Sequence, residues 1–174
     1  LDSDHAFEAL DQDHVEVLGG PLSQASHLRV AGVVVEGLGL GVTGKAQHGH
    51  PSGCIKLIAL ITETAHAVLN GASFTTPPAR VIGYTWGAED LAADVGASAN
   101  RTAEGEFEFT FRLARSSCLL MAAAAGIAAY DTTDIEFRDV AAVERRAQAS
   151  RRDGFVGKLA IHPAQLAPIH AAFT

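Results

Sequence analysis

The stretch Ile55-Lys-Leu-Ile-Ala-Leu-Ile-Thr-Glu63 decides the fold prediction. Its apolar run, Ile55 to Ile61, is short enough for a strand, and a short helical segment from Ala65 to Leu69 follows it. A Pro-Pro pair then breaks the chain before a second apolar run, Arg80 to Thr85. A strand, a helix and a second strand in this order predict parallel strands joined by crossover helices.

The same alternation continues to the end of the chain. The further predicted elements are a helix over Glu106–Ala125, a strand over Ile127–Tyr130, a helix over Asp134–Arg152 and a strand over Lys158–Ile161. Gly126 is expected to close the long helix as its C-cap, and Pro163 suits the first turn of a last helix. The sequence therefore predicts an α/β fold.

Residues 1–54 carry a weaker pattern. The run from Leu28 to Val35 predicts one more strand, but Gly37 to Cys54 lacks helical periodicity where a crossover helix should lie. We therefore divide the chain into a divergent N-terminal segment, residues 1–54, and residues 55–174, which hold the regular units.

Composition excludes several classes of function. The 174 residues carry 13 Lys and Arg against 20 Asp and Glu, a formal net charge of −7, and no basic cluster, so nucleic acid is not an expected partner. No apolar run approaches the roughly 18 residues that a membrane span requires. Cys54 and Cys118 do not suggest a disulfide framework, and the start at Leu1 has no signal-peptide pattern, so a cytoplasmic location is expected.

Two carboxylates follow neighbouring predicted strands. Glu63 comes directly after the first strand, and Asp90 lies five residues beyond Thr85, at the end of the second. Because parallel strands end at the same edge of a sheet, both carboxylates should lie at that edge, close to each other. Mg²⁺ takes one or two protein carboxylates and leaves its remaining positions to water and substrate. An acid at a helix N-terminus is the alternative role of Asp90, and it suffices for Glu89.

Substrate contacts are predicted from the same reasoning about strand ends. The candidates are Trp86, Gly87, Ala88, Asp131 and His162. For His162, a hydrogen bond to a neighbouring loop is the favoured alternative role, and Asp131 is similarly undecided. No residue is assigned to the catalytic step itself.

Two further motifs have weaker chemical support. Gly39-Leu-Gly-Val-Thr-Gly44, with Lys45, resembles a nucleotide-binding glycine turn, but no helix N-terminus follows to present amides to a phosphate. His48 and His50 with Cys54 are residue types that suit zinc, but they lie in a Gly- and Pro-containing loop and have no fourth ligand nearby.

Three motifs follow one another along the chain: Ile58-Ala-Leu-Ile-Thr-Glu-Thr-Ala65, Thr85-Trp-Gly-Ala-Glu-Asp-Leu-Ala-Ala-Asp94 and Gly157-Lys-Leu-Ala-Ile-His-Pro-Ala-Gln165. In this order they resemble the citrate lyase β-subunit and HpcH/HpaI aldolase family, and the resemblance extends over residues 47–174. It implies a (β/α)₈ TIM barrel of the phosphoenolpyruvate/pyruvate type, with Glu63 and Asp90 as Mg²⁺ ligands. It also implies carbon–carbon bond cleavage in citryl-, malyl- or citramalyl-CoA or a related aldol, in a homo-oligomer.

The sequence departs from the family pattern in its N-terminal part. Glu36-Gly37 stand where the family has Pro-Lys after strand four, to which Val30–Val35 would correspond, and the arginine of strand three is not found. A complete barrel needs about 250 residues, so strands four or five to eight are expected here. A truncated, catalytically inactive barrel is therefore the principal alternative, and a nucleotide-binding module at Gly39–Lys45 is the other.

Overall fold

A computed structural model gives the structure, which describes the backbone of residues 15–19 and 29–30 and describes residues 56–174 in full. The strands are β1 (Val15–Gly19), β2 (Arg29–Val30), β3 (Leu57–Leu60), β4 (Val81–Thr85), β5 (Ala128–Asp131) and β6 (Gly157–Leu159). The α-helices are α1 (Ala65–Leu69), α2 (Ala88–Asp94), α3 (Phe109–Ala125), α4 (Val140–Asp153) and α5 (Leu166–Phe173), with 3₁₀ turns at Gly71–Phe74 and Pro163–Gln165. No helix in these described ranges is long and apolar enough to cross a bilayer.

The sheet has the strand order β2-β1-β6-β5-β4-β3. From β3 to β6 the strands are parallel, pair in chain order and are joined by helices, as the sequence predicts. Strands that pair in chain order, each followed by a helix, are the repeating unit of a (β/α)₈ barrel, whereas a doubly wound sheet reverses its order at a switch point.

The position of β2 differs from the one expected of strand four. A strand four would pair with β3, but Arg29–Val30 pairs antiparallel with β1, which in turn pairs antiparallel with β6 at the other side of the sheet. An apolar run indicates a strand without specifying its neighbour. Residues 31–35 of the predicted strand lie outside the described residues, so the strand-four assignment stays a prediction. The glycine motif Gly39–Lys45 and the His48, His50 and Cys54 group lie outside the described residues.

Two helices begin later than their apolar patterns predict. The chain before α3 forms a turn in which Arg101 and Phe107 pair as an antiparallel bridge, so the helix starts only at Phe109. Before α4, the Asp139 carboxylate accepts a hydrogen bond from the Ala142 amide at 2.9 Å and caps the helix. The predicted C-cap of α3 is confirmed, because Gly126 adopts a left-handed conformation with φ of 68°.

One face of the sheet packs against the helices, and the opposite, inner face carries a smaller apolar cluster. On the helix side, Trp86 and Leu91 are buried in the main cluster with an apolar face of α3 that includes Phe111. On the inner face, the Tyr130 ring packs with Ile58. A Cβ at Gly83 would lie 2.6 Å from Cε2 of Tyr130, so the absence of a side chain at this position lets the ring lie across β4.

Candidate metal centre and its surroundings

The ends of β3 and β4 bring the two predicted metal ligands to one edge of the sheet. The strands are in register at Leu60 and Thr85, and the Ile61 amide donates to the Thr85 carbonyl at 3.0 Å. The chain therefore leaves both strands at the same level. Glu63 lies in the segment after β3, and Asp90 lies in the first turn of α2, with Gly87 as the N-cap residue.

Gly87 shows how closely the two carboxylates approach. A Cβ built at this glycine would lie 3.2 Å from Asp90 Oδ2 and 3.2 Å from Glu63 Oε1. Gly87 has an ordinary extended φ of −121°, so its backbone does not require glycine. What the position requires is space, and both carboxylate oxygens border that space.

The residues at this edge fit a magnesium ion. Asp90 is exposed and Glu63 is partly buried, so the pair is accessible from solvent. Within residues 56–174, no group of three or more His, Cys, Asp or Glu side chains is placed to hold a metal. Glu63 and Asp90 would offer a cation two protein carboxylates. That number, with oxygen as the only ligand type, suits Mg²⁺ better than zinc. The buried hydroxyls of Thr62 and Thr85 have no hydrogen-bond partner among the described residues.

Asp94 has a role that sequence reasoning did not identify. Its Oδ2 accepts a hydrogen bond from the Ala65 amide at 2.7 Å, which ties the segment carrying Glu63 to the end of α2. An acid in the last turn of a helix opposes the helix dipole, and this unfavourable position was the available signal that Asp94 has a specific partner. The neighbouring Glu89 accepts a hydrogen bond from Asn100 Nδ2 at 3.3 Å on the exposed surface.

Among the predicted substrate contacts, Gly87 borders the space between the carboxylates, but Trp86, Ala88 and Asp131 are buried in the protein. The Trp86 indole Nε1 donates to Asp131 Oδ1 at 2.6 Å. Arg115 donates to the Asp131 carboxylate through Nε and through Nη2, the latter at 2.8 Å, and the Ser150 hydroxyl also donates to it. The structure thus favours a structural role for these three residues.

The charge of Asp131 is strongly stabilised. Burial by itself would raise the pKa of this carboxyl, but the charge of Lys158 and the hydrogen bonds from Arg115 outweigh it. Together they hold the pKa of Asp131 well below its usual value of 3.8. A buried carboxylate with these partners stays ionised at neutral pH.

His162 lies at the end of β6 with an exposed side chain. Its Nδ1 accepts a hydrogen bond from the Ala164 amide at 3.1 Å, and its ring stacks on Phe137 at a centroid distance of 4.2 Å. The buried Gln165 completes the cap, since its Oε1 accepts from the amides of Ile161 and His162. Of the two roles left open by the sequence, this geometry supports the local hydrogen bond.

A second buried carboxylate, Asp134, was also missed. It is 1% exposed and forms ion pairs with Arg146 at 3.4 Å, Lys158 at 3.4 Å and Arg101 at 3.8 Å. Lys158 also donates to the Thr132 carbonyl at 2.6 Å. A lysine within an apolar strand was the usable signal, because a buried lysine needs a charged partner.

A carboxylate pair at the carboxyl ends of parallel strands that pair in chain order is the arrangement of a barrel enzyme with a metal site. Comparison with known proteins identifies the particular family. A family model described as HpcH/HpaI aldolase/citrate lyase matches residues 41–163. The chain belongs to this family, whose fold is of the TIM-barrel type.

Related proteins and structures agree with this assignment. A citrate lyase subunit beta-like protein of Mycobacterium tuberculosis is 35% identical over 117 residues, which are 67% of this chain and 42% of that protein. The mitochondrial citramalyl-CoA lyase of Rattus norvegicus is 34% identical over 51% of this chain and 25% of its own length. The citrate lyase beta subunit of M. tuberculosis, solved with oxaloacetate and magnesium, superposes with a TM-score of 0.64 at 33% identity, covering 69% of this chain and 53% of that one. The chain thus spans less than half the length of the curated relatives it matches.

Proposed function

We propose that this chain carries the metal-binding part of a Mg²⁺-dependent carbon–carbon lyase of the citrate lyase β type. The observation that carries the proposal is the approach of Glu63 and Asp90 to the same space beside Gly87. Support comes from the related M. tuberculosis subunit, whose structure contains oxaloacetate and magnesium. The proposed substrate is a β-hydroxyacyl-CoA such as citryl-, malyl- or citramalyl-CoA, or a related aldol.

The reaction places defined demands on the site. The bond between the α- and β-carbons of the thioester breaks, the β-hydroxyl loses its proton and becomes the carbonyl of a 2-oxo acid, and the α-carbon gains a proton. A Mg²⁺ ion supplies Lewis-acid polarisation of the oxygens of the 2-oxo acid unit and a template for their orientation. Glu63 and Asp90 would hold that ion. Gly87 would keep the space between them open.

The residues on either side of Gly87 are withdrawn from solvent. Trp86 and Ala88 are both fully buried. The segment that borders both carboxylate oxygens is therefore anchored in the packed part of the protein, whereas Asp90 itself is exposed to solvent.

A panel of citryl-, malyl- and citramalyl-CoA tests the proposal, with the released 2-oxo acid trapped as its hydrazone and measured by absorbance. We expect Mg²⁺-dependent cleavage of at least one thioester, and a loss of about 100-fold or more in Glu63→Gln and Asp90→Asn, because each removes charge at the cation. Glu89→Gln is the matched control, since Glu89 precedes Asp90 in the same exposed helical turn. It should stay within about twofold of the wild-type rate.

Two results would count against the proposal in different ways. A folded wild-type chain that binds Mg²⁺ and cleaves no member of the panel would favour the catalytically inactive alternative. Cleavage that is unchanged in Glu63→Gln and Asp90→Asn would remove the site assignment. The homo-oligomeric state expected from the family remains a prediction.

A further inference from the structure

The segment that carries Asp90 is linked to the next strand through the buried side chain of Trp86. Trp86 lies between the last residue of β4 and Gly87, and it is fully buried. Its indole nitrogen donates a hydrogen bond of 2.6 Å to Asp131 Oδ1, 45 positions along the chain at the end of β5. The hydrogen bond therefore links the segment entering α2 to a residue of the neighbouring strand.

The acceptor of this hydrogen bond has a fixed orientation. Arg115 donates from Nε to both carboxylate oxygens at 3.1 Å and from Nη2 to Oδ2 at 2.8 Å. Ser150 of α4 donates to Oδ2, and the Thr132 amide donates to Oδ1 at 2.9 Å. With donors from two helices and from the residue after its own strand, the carboxylate of Asp131 cannot rotate without losing several charge-assisted hydrogen bonds.

The indole ring is also held by a second ring. Phe107 packs edge-to-face against Trp86 with a centroid distance of 4.9 Å. The guanidinium of Arg101 lies 3.7 Å from the centroid of the Phe107 ring. Trp86 is thus restrained by a hydrogen bond at its nitrogen and by ring packing.

The consequence for the carboxylate pair is geometric. Gly87 is bonded directly to Trp86 and is the N-cap residue of α2, whose first turn holds Asp90. A Cβ at Gly87 would lie 3.2 Å from both Asp90 Oδ2 and Glu63 Oε1, so this segment passes close to both carboxylates. A small displacement of the segment that carries Asp90 therefore changes the distance between the carboxylates of Glu63 and Asp90. Metal affinity is sensitive to such shifts, and loss of an orienting group outside the ligands costs about 10- to 100-fold.

We propose that Trp86 and Asp131 are positioning residues for the carboxylate pair, with their hydrogen bond fixing the segment from Gly87 to Asp90 relative to Glu63. Neither side chain would contact the cation itself. The proposal rests on the metal site of the proposed function, and it adds that the affinity of that site depends on a buried contact outside it.

Trp86 is the only tryptophan of the chain, so its indole signal reports on this contact without any substitution. In the ¹H–¹⁵N spectrum of the wild type, we expect the indole resonance to shift on titration with Mg²⁺. The shift should saturate with the dissociation constant that calorimetry gives. In a Glu63→Gln, Asp90→Asn double variant, the resonance should not move.

Trp86→Phe keeps a buried ring and removes the N–H donor. We expect the dissociation constant for Mg²⁺ to rise about tenfold or more, measured by calorimetry and by water-proton relaxation with Mn²⁺. The matched control is Tyr84→Phe in β4, two residues before Trp86. It removes the hydroxyl that donates a hydrogen bond of 2.8 Å to the Phe74 carbonyl. Both variants lose stability in EDTA, but Tyr84→Phe should bind Mg²⁺ like the wild type.

The outcomes separate the two proposals. If the wild type does not bind Mg²⁺, the metal site itself fails. If the double variant loses binding while Trp86→Phe binds like the wild type and the indole resonance stays still, only the positioning role fails. Equal weakening in Trp86→Phe and Tyr84→Phe would also overturn it, because general destabilisation would then explain the loss.

Discussion

Gly87 occupies a position where any side chain would enter the space between two carboxylates. Its backbone conformation is open to all residues, so the requirement for glycine is one of volume. At 3.2 Å, a methyl carbon would be closer to Asp90 Oδ2 and Glu63 Oε1 than ordinary van der Waals contact allows. One or both carboxylate oxygens would have to give way by a few tenths of an ångström.

Gly87→Ala should therefore weaken Mg²⁺ binding by about tenfold or more while leaving the fold intact. Calorimetric titration gives the affinity, and the melting temperature in EDTA reports on the fold. Gly71→Ala is the control, because its added methyl would meet only the flexible end of Met121. Wild-type affinity in Gly87→Ala would show that the cation does not use this space.

The sequence could place Glu63 and Asp90 because both follow parallel strands, which end at one edge. The same reasoning predicted a substrate contact at Asp131, which also ends a strand but is buried. Along β5, Tyr130 belongs to the inner cluster and Ala129 to the helix-side cluster. By the two-residue period of a strand, Asp131 shares the face of Ala129 and so points toward the helices. Its bond to Trp86 joins residues too distant in sequence for any local pattern to indicate.

At the scale of elements, the ionised carboxylate of Asp131 connects β5 to α3 and α4 by accepting hydrogen bonds from both helices. Its pKa in the folded protein is depressed below 3.8, because Lys158 and Arg115 outweigh the effect of burial. A carboxyl group whose pKa is lower in the folded than in the unfolded protein stabilises the fold at pH values above its unfolded pKa. This stabilisation is lost as the pH falls toward the folded pKa.

We therefore expect the wild type to be more stable than Asp131→Asn at pH 7, and the difference to shrink as pH falls below about 4. Urea denaturation of both proteins at pH 7, 5 and 3 measures it, and other acidic groups cancel in the comparison. A difference that stays constant down to pH 3 would mean that the ion pairs of Asp131 do not stabilise the fold.

The start of α4 provides a simpler test of an element boundary. Asp139 caps the helix through its carboxylate, so Asp139→Ala should lower the free energy of unfolding by about 1 kcal/mol. Asp139→Asn retains a capping oxygen and should lose only a fraction of that amount. Urea denaturation compares the two, and an equal loss would assign the effect to charge instead of to the cap.

At the scale of the whole molecule, the order of the four parallel strands could be predicted because each crossover helix constrains its strands to be neighbours. The place of β2 could not, because pairing with β1 is antiparallel and leaves no helical signature between the two strands. The buried charges of Asp131, Asp134 and Lys158 likewise depend on contacts between elements. A single sequence shows which charged residues are present, but it does not show which residues they pair with.

Calorimetric titration of the whole chain with Mg²⁺ tests most directly whether Glu63 and Asp90 together bind the ion. The wild type and Glu89→Gln should bind one Mg²⁺ with similar affinity, and the Glu63→Gln, Asp90→Asn double variant should show no saturable binding, although it melts cooperatively in EDTA. Equal affinity in the wild type and the double variant would contradict the claim, because the ion would then be held elsewhere.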